Sequence, residues 1–107
     1  MWEDLAEMSD AEVILDELFT DIGEVAEDVR SAMLRRGQTV RLHVKVESGG
    51  PFELLIQSPD DEIIKTFGDI SREHEFEQKI PENGSYGFAF QSTGKPGAVR
   101  LKVSSKP

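Results

Sequence analysis

Two histidines, His43 and His74, are the side chains of this sequence best suited to moving a proton near neutral pH. His43 sits in "QTVRLHVKVE" on the face that also carries Arg41, Lys45 and Glu47, and His74 sits in "REHEFEQKI" in phase with Phe76, Gln78 and Ile80. Neither has a second ligand at metal-binding spacing, and no serine or acid stands where it would make either a general base. His43 therefore reads as solvent-exposed and His74 as half-buried. Asp60, Asp61 and Glu62 of "SPDDE" offer the oxygen ligands that Ca²⁺ prefers, but the stretch lacks the alternating spacing and glycine of an EF-hand and reads as a solvated turn. "GKPG" and "GG" lack the residue order that cradles phosphate. The absence of cysteine removes thiolate metal sites, cysteine nucleophiles and disulfides together. The chain is thus expected to be non-catalytic, with no metal and no cofactor.

Tyr86, Phe88 and Phe90 alternate with Gly87, Ala89 and Gln91 in "GSYGFAFQ". If their face were open, the three rings would form a platform for a sugar. Strict alternation with small residues favours burial instead, with the small side letting another surface approach closely or merely pack tightly.

These residues need a scaffold, and 107 residues supply one domain with at most an appendage. Hydrophobic residues make up 37% and charged residues 31%, with no apolar run near the ~18 residues of a membrane span. The net charge is −9, unevenly spread: up to Val29 the chain carries eleven acids and no base, and from Arg30 onward ten acids face all twelve bases. Phosphate backbones would be repelled by the first part without strong attraction to the second, so nucleic acid is not an expected partner.

The front of the chain has a helical period. "SDAE" at Ser9–Glu12 fits a capping box. Leu15, Leu18, Ile22, Val25, Val29 and Ala32 then recur at alternating spacings of 3 and 4, a phase that reaches back through Ala11 to Met8. Acids crowd the first turns, Arg30, Arg35 and Arg36 the last, and Gly37 stands at the C-terminal cap position. The spacing predicts a helix from about residue 10 to 35, with Gly23 as a kink site and a short helical turn around Trp2–Met8. The remainder has period two: Val40, Leu42, Val44 and Val46; then Phe52, Leu54 and Ile56; then "IIKTF", "REHEFEQKI", Tyr86 to Phe90, and Val99, Leu101 and Val103. Turns are predicted at "GGP", "SPDDE", Gly68-Asp69, "PENG" and "TGKPGA". The polar "REHEFEQKI" reads as an edge strand. The fold class expected is mainly β: an antiparallel sandwich of about six strands over residues 38–107, preceded by an acidic amphipathic helical segment over residues 1–37.

The body from roughly residue 38 to 105 resembles the GOLD domain of the p24 (emp24/gp25L) family. "FELLIQSPDDEII", "HEFEQKIPENGSYGFAF" and the closing "VRLKV" carry the resemblance. It implies a compact β-sandwich that acts as a protein-interaction or adaptor module in a trafficking-related assembly. The sequence departs from that pattern in having no cysteine pair and in placing its helical segment before the sandwich.

A protein partner is therefore expected. The surface that would meet it is the stripe of Leu15, Leu18, Ile22, Val25 and Val29, or an exposed sheet edge that accepts a partner strand. At about 25 cal/mol per Å² of apolar area, five aliphatic anchors must be covered by something. The cover is either the protein's own sandwich or a more basic partner; oligomerisation through the helix is a further option, opposed by repulsion between two acidic segments. The runner-up is a carbohydrate- or lipid-binding sandwich. The acidic, charge-broken start lacks the pattern of a secretory signal, so the expected compartment is the cytoplasm.

Overall fold

The computed structural model describes residues 12–106. They form six strands and, among the described residues, no helix: β1 (Val13–Ile22), β2 (Val29–Leu34), β3 (Thr39–Gln57), β4 (Ile63–Ile70), β5 (Glu73–Lys79) and β6 (Gly84–Ser105). All pairings are antiparallel, and β3 and β6 form the spine, matched from Val40 opposite Ser105 to Gln57 opposite Gly87. A straight strand of 22 residues would span about 70 Å at about 3.3 Å per residue, more than the 44 Å of the molecule's longest dimension. Both spine strands therefore bend.

The bend lies where "GGP" meets "TGKPG". The β3–β6 register shifts three times between Val46 and Phe52, and Gly49 and Gly50 adopt φ of 75° and 100°. A Cβ on Gly97 would collide with the Ser48 carbonyl, and one on Gly49 with the Pro96 carbonyl; glycine is what lets the two backbones cross this closely. The sequence-based expectation of turns at "GGP" and "TGKPGA" is corrected accordingly. Each is a bend inside one continuous strand, because the two stretches pair with each other.

The bend divides the ladder into two halves. In the first, β5 pairs with Thr39–Lys45 of β3, whose other side pairs with the end of β6, which in turn pairs with β1. In the second, β4 pairs with Phe52–Gln57 of β3, whose other side pairs with the start of β6, which in turn pairs with β2. Val40, Leu42, Val44, Leu101 and Val103 of the first half and Phe52, Leu54, Ile56, Tyr86 and Phe88 of the second all have 0% exposure and belong to one core. No helix covers them, so each half buries the other, and an 18 Å thinnest dimension leaves room for two layers. The architecture is a two-layered antiparallel β fold.

The helix expected over residues 10–35 is corrected: residues 13–22 and 29–34 are strands joined by a link over 23–28. Leu15, Glu17 and Phe19 oppose Val103, Leu101 and Val99, so the core contact of β1 runs through Phe19, which the helical stripe omitted, together with Ile22, which it included. The physical reason is the spine. Strand β6 has one free edge along each half, and β1 and β2 satisfy those backbone groups and cover the core's flank. Gly23 marks the end of β1, not a kink, and Gly37 takes φ of 86° in the β2–β3 turn, its N–H donating to the Ile80 carbonyl at 2.9 Å. Ser9 of the expected capping box, the Trp2–Met8 turn, and Met8 and Ala11 of the stripe lie outside the described residues.

Candidate functional site

The five residues expected to form one binding stripe are dispersed by the strands. Ile22 is a core residue at 6% exposure and Leu15 packs on the core's margin, while Leu18 opposes Arg100 on the outer surface of the first layer. Val25 stands in the link, and Val29 starts β2 on the outer surface of the second layer, opposite Ala89. No helical face joins them, so oligomerisation through an N-terminal helix has no basis in the described residues.

The histidines are neighbours across the ladder but face opposite ways. His43 points outward, its Nε2 2.7 Å from Glu73 Oε2. His74, opposite Val44, points inward and stacks on Phe76 at 5.9 Å between ring centroids. The "SPDDE" stretch is a turn closed on itself: Ser58 N donates to the Glu62 carbonyl at 2.7 Å, and the Ser58 hydroxyl accepts from the amides of Asp60 and Glu62. Its amides and hydroxyl are thus committed to holding the turn. Tyr86, Phe88 and Phe90 are all buried, and Tyr86 donates its hydroxyl to the Glu82 carbonyl at 2.7 Å, which pins the preceding turn. They are core, not a platform.

The outer surface of the first layer is a mosaic of charge. Glu73, Glu75 and Glu77 of β5 lie beside Arg41, His43 and Lys45 of β3, which lie beside Lys102 and Arg100 of β6, with Asp16 of β1 beyond. Arg41 lies 3.3 Å from Glu75, and Arg100 lies 3.2 Å from Asp16. The Arg41 Nε makes a charge contact there without hydrogen-bond geometry. These side chains are well exposed, which limits each pair to at most about 1 kcal/mol.

The outer surface of the second layer has a different character. Two rows cross it, Val29–Ala89–Leu55–Thr66 and Ser31–Gly87–Gln57–Ile63. Gly87 and Ala89 form a low centre flanked by the taller Val29, Leu55 and Ile63, and with Ala26 of the link these line a cleft of about 150 Å³. Gly87 is needed for the floor, since a Cβ there would meet Val29 Cγ1 at 2.9 Å and Gln57 Oε1 at 3.2 Å. Two of its walls are large apolar side chains that stand exposed, Val29 at 43% and Ile63 at 58%, and Met33, at 74%, follows Val29 and Ser31 on the outward register of β2. The alternation of Gly87 and Ala89 was the signal for this surface in the sequence; Ile63, Met33 and Leu55 carried none. A second hollow of about 140 Å³ lies on the other side of the link, lined by Phe19, Ile22, Val25, Asp28 and Phe90 among others. Among the described residues, no three His, Asp or Glu side chains gather as a metal site would need. No helix of the described residues is long and apolar enough to cross a membrane.

A scan against protein-family models finds no match, and neither does a search among curated proteins. Among solved structures, the chain is similar to the crystal structure of Aeromonas hydrophila PliG, a periplasmic lysozyme inhibitor of g-type lysozyme, at 20% identity and a TM-score of 0.55 over 86% of this chain and 83% of that one. That likeness is one of fold.

Proposed function

We propose that this chain is a non-catalytic protein-binding module whose contact surface is the outer face of the β4–β3–β6–β2 layer. The observation that carries the reading is the apolar outer face of this layer, where exposed Val29 and Ile63 flank the cleft over Gly87 and Ala89 and exposed Met33 extends the same face along β2, since apolar side chains gathered on one surface mark interaction sites. The similar fold of PliG, described as an inhibitor of g-type lysozyme, supports it: that protein's task is to engage another protein. The adaptor role implied by the GOLD resemblance belongs to the same proposal. A carbohydrate or lipid module is the weaker reading, because the aromatic rings are interior and a cleft of about 150 Å³ falls below the roughly 300–1,000 Å³ of small-molecule sites.

A photo-crosslinking amino acid placed at Val29, at Ile63 or, as control, at Lys102 tests the surface. The first assay uses purified g-type lysozyme, with inhibition of its activity in parallel; the second uses intact cells of the source. The expected result is a discrete adduct from positions 29 and 63 that is absent from position 102 and lost when Ile63→Ser accompanies the label at 29. Equal labelling from all three positions, or none from any in both assays, would defeat the proposal.

A further inference from the structure

The cleft is apolar within and acidic around. Glu24 of the link lies two residues from Ala26, and the β3–β4 turn contributes Asp60, Asp61 and Glu62 immediately before Ile63; all four are exposed. Glu53 is the charged residue on the layer's outward register, held by Gln91 at 2.6 Å. The bases of the same strands turn away: Arg30 lies over the Phe19 ring at 5.6 Å and pairs with Asp28, and Lys65 lies over the Phe67 ring at 5.2 Å. Arg35 and Arg36 stand past the far end of β2, where Arg36 N donates to Asn83 Oδ1. The basic side chains Arg41, Lys45, Arg100 and Lys102 are on the opposite outer face. On that face the bases are interleaved with Glu73, Glu75, Glu77 and Asp16, whereas the acids beside the cleft have no such bases among them.

We infer that the cleft receives a basic polypeptide segment, which seats one aliphatic or aromatic side chain over Gly87 and Ala89, between Val29 and Ile63, with lysine or arginine reaching the acids at its two ends. The inference rests on the reading of this face as the contact surface and names the partner's chemistry. About 150 Å³ is the size of a cavity that holds one benzene ring, so a single side chain fills it. Charge complementarity selects the flanks, because acids within about 8 Å of a bound cation act on it with little screening at physiological salt. A second copy of this face would bring the same acids against their like in a chain of net charge −9, which opposes self-pairing here.

Capped peptides of sequence KKLKK, KKGKK and EELEE, titrated into the ¹⁵N-labelled full chain and followed by amide shifts, test the inference. The expected result is saturable shifts at Val29, Leu55, Ile63, Gly87 and Ala89 with KKLKK. Binding of KKGKK is expected to be about tenfold weaker, EELEE should give no response, and added salt should weaken KKLKK. Combining Glu24→Lys, Asp60→Lys and Glu62→Lys, at exposed positions whose spectrum reports an intact fold, is expected to cost at least about tenfold, or roughly 1.4 kcal/mol. Shifts centred on Lys45 and Lys102, equal binding of KKGKK, a response to EELEE, or none to any peptide would each overturn it. So would concentration-dependent shifts of the same amides without peptide, which identify a second copy as the occupant. Position-specific crosslinks without a peptide response overturn the basic-segment chemistry alone; a peptide response without crosslinks overturns the surface's cellular role and leaves its chemistry.

Discussion

Phe67 stacks on Phe76 with ring centroids 4.3 Å apart and an interplanar angle of 21°, although β4 and β5 belong to opposite layers and share no backbone ladder. The pair closes one flank of the fold as Phe19 and Phe90, 4.9 Å apart and edge-on, close the other. Both flanks are thus held by aromatic contact across the layers, while β3 and β6 hold the layers together covalently at the bend.

Phe67→Ala is expected to destabilise the protein by about 2 kcal/mol, less than the roughly 3–5 kcal/mol of a fully buried phenylalanine, because Phe67 is half-exposed. A double-mutant cycle with Phe76→Ala, measured by urea unfolding, should return a coupling of about 0.5–1.5 kcal/mol. A coupling indistinguishable from zero would mean that the two layers do not meet here in solution.

Tyr86→Phe keeps the buried ring and deletes the hydroxyl that bonds the Glu82 carbonyl. The expected loss is about 1 kcal/mol, which calorimetry would read as a fall of roughly 4–8 °C in Tm for a domain of this size. An unchanged Tm would show that the turn before β6 needs no pin.

Gly97→Ala drives a Cβ into the Ser48 carbonyl where β3 and β6 cross, whereas a Cβ on Gly68 meets only Glu53 Oε2 at 3.8 Å. The first substitution should cost at least about 1–3 kcal/mol through overpacking, and Gly68→Ala should be neutral or slightly stabilising, as compared by denaturant midpoints. Equal effects would refute the close crossing.

A chain starting at Gly37 lacks β1 and β2, which leaves β6 unpaired along both halves and opens the core at Val99, Leu101, Tyr86 and Phe88. Such a chain is expected to show no cooperative unfolding transition and to bind a hydrophobic dye. A stable, soluble monomer would show that the first 36 residues are an accessory to the sheet.

How much of this was legible depends on how each residue's neighbours are supplied. From residue 39 onward, inward and outward side chains alternate without interruption through Val40, Leu42 and Val44 and again through Tyr86, Phe88 and Phe90, so period two exposed the strands and their buried faces directly. In β1 the alternation is broken by Glu17, which occupies an inward position opposite Leu101 on an edge strand, and by shifts of register after Val13 and after Phe19. With the two-residue period hidden, the accidental 3 and 4 spacing of Leu15, Leu18 and Ile22 read as a helix. Local pattern favoured one answer, and the unpaired edges of β6 imposed the other.

The cleft follows the same division. Small residues opposite an aromatic core face were visible as Gly87 and Ala89, but what stands beside them depends on which strands flank β6, a fact set by register and not by spacing along the chain. Composition and periodicity alone determined a largely β protein with a buried aromatic strand and a markedly acidic front. Tertiary structure decided that the front becomes two strands, that the predicted turns at "GGP", "TGKPGA" and Gly68-Asp69 fall inside continuous strands, and that Val29 and Ile63 flank one surface. A sheet's pairings join residues far apart in sequence, and the free energy that selects among them is realised only when both partners are in place.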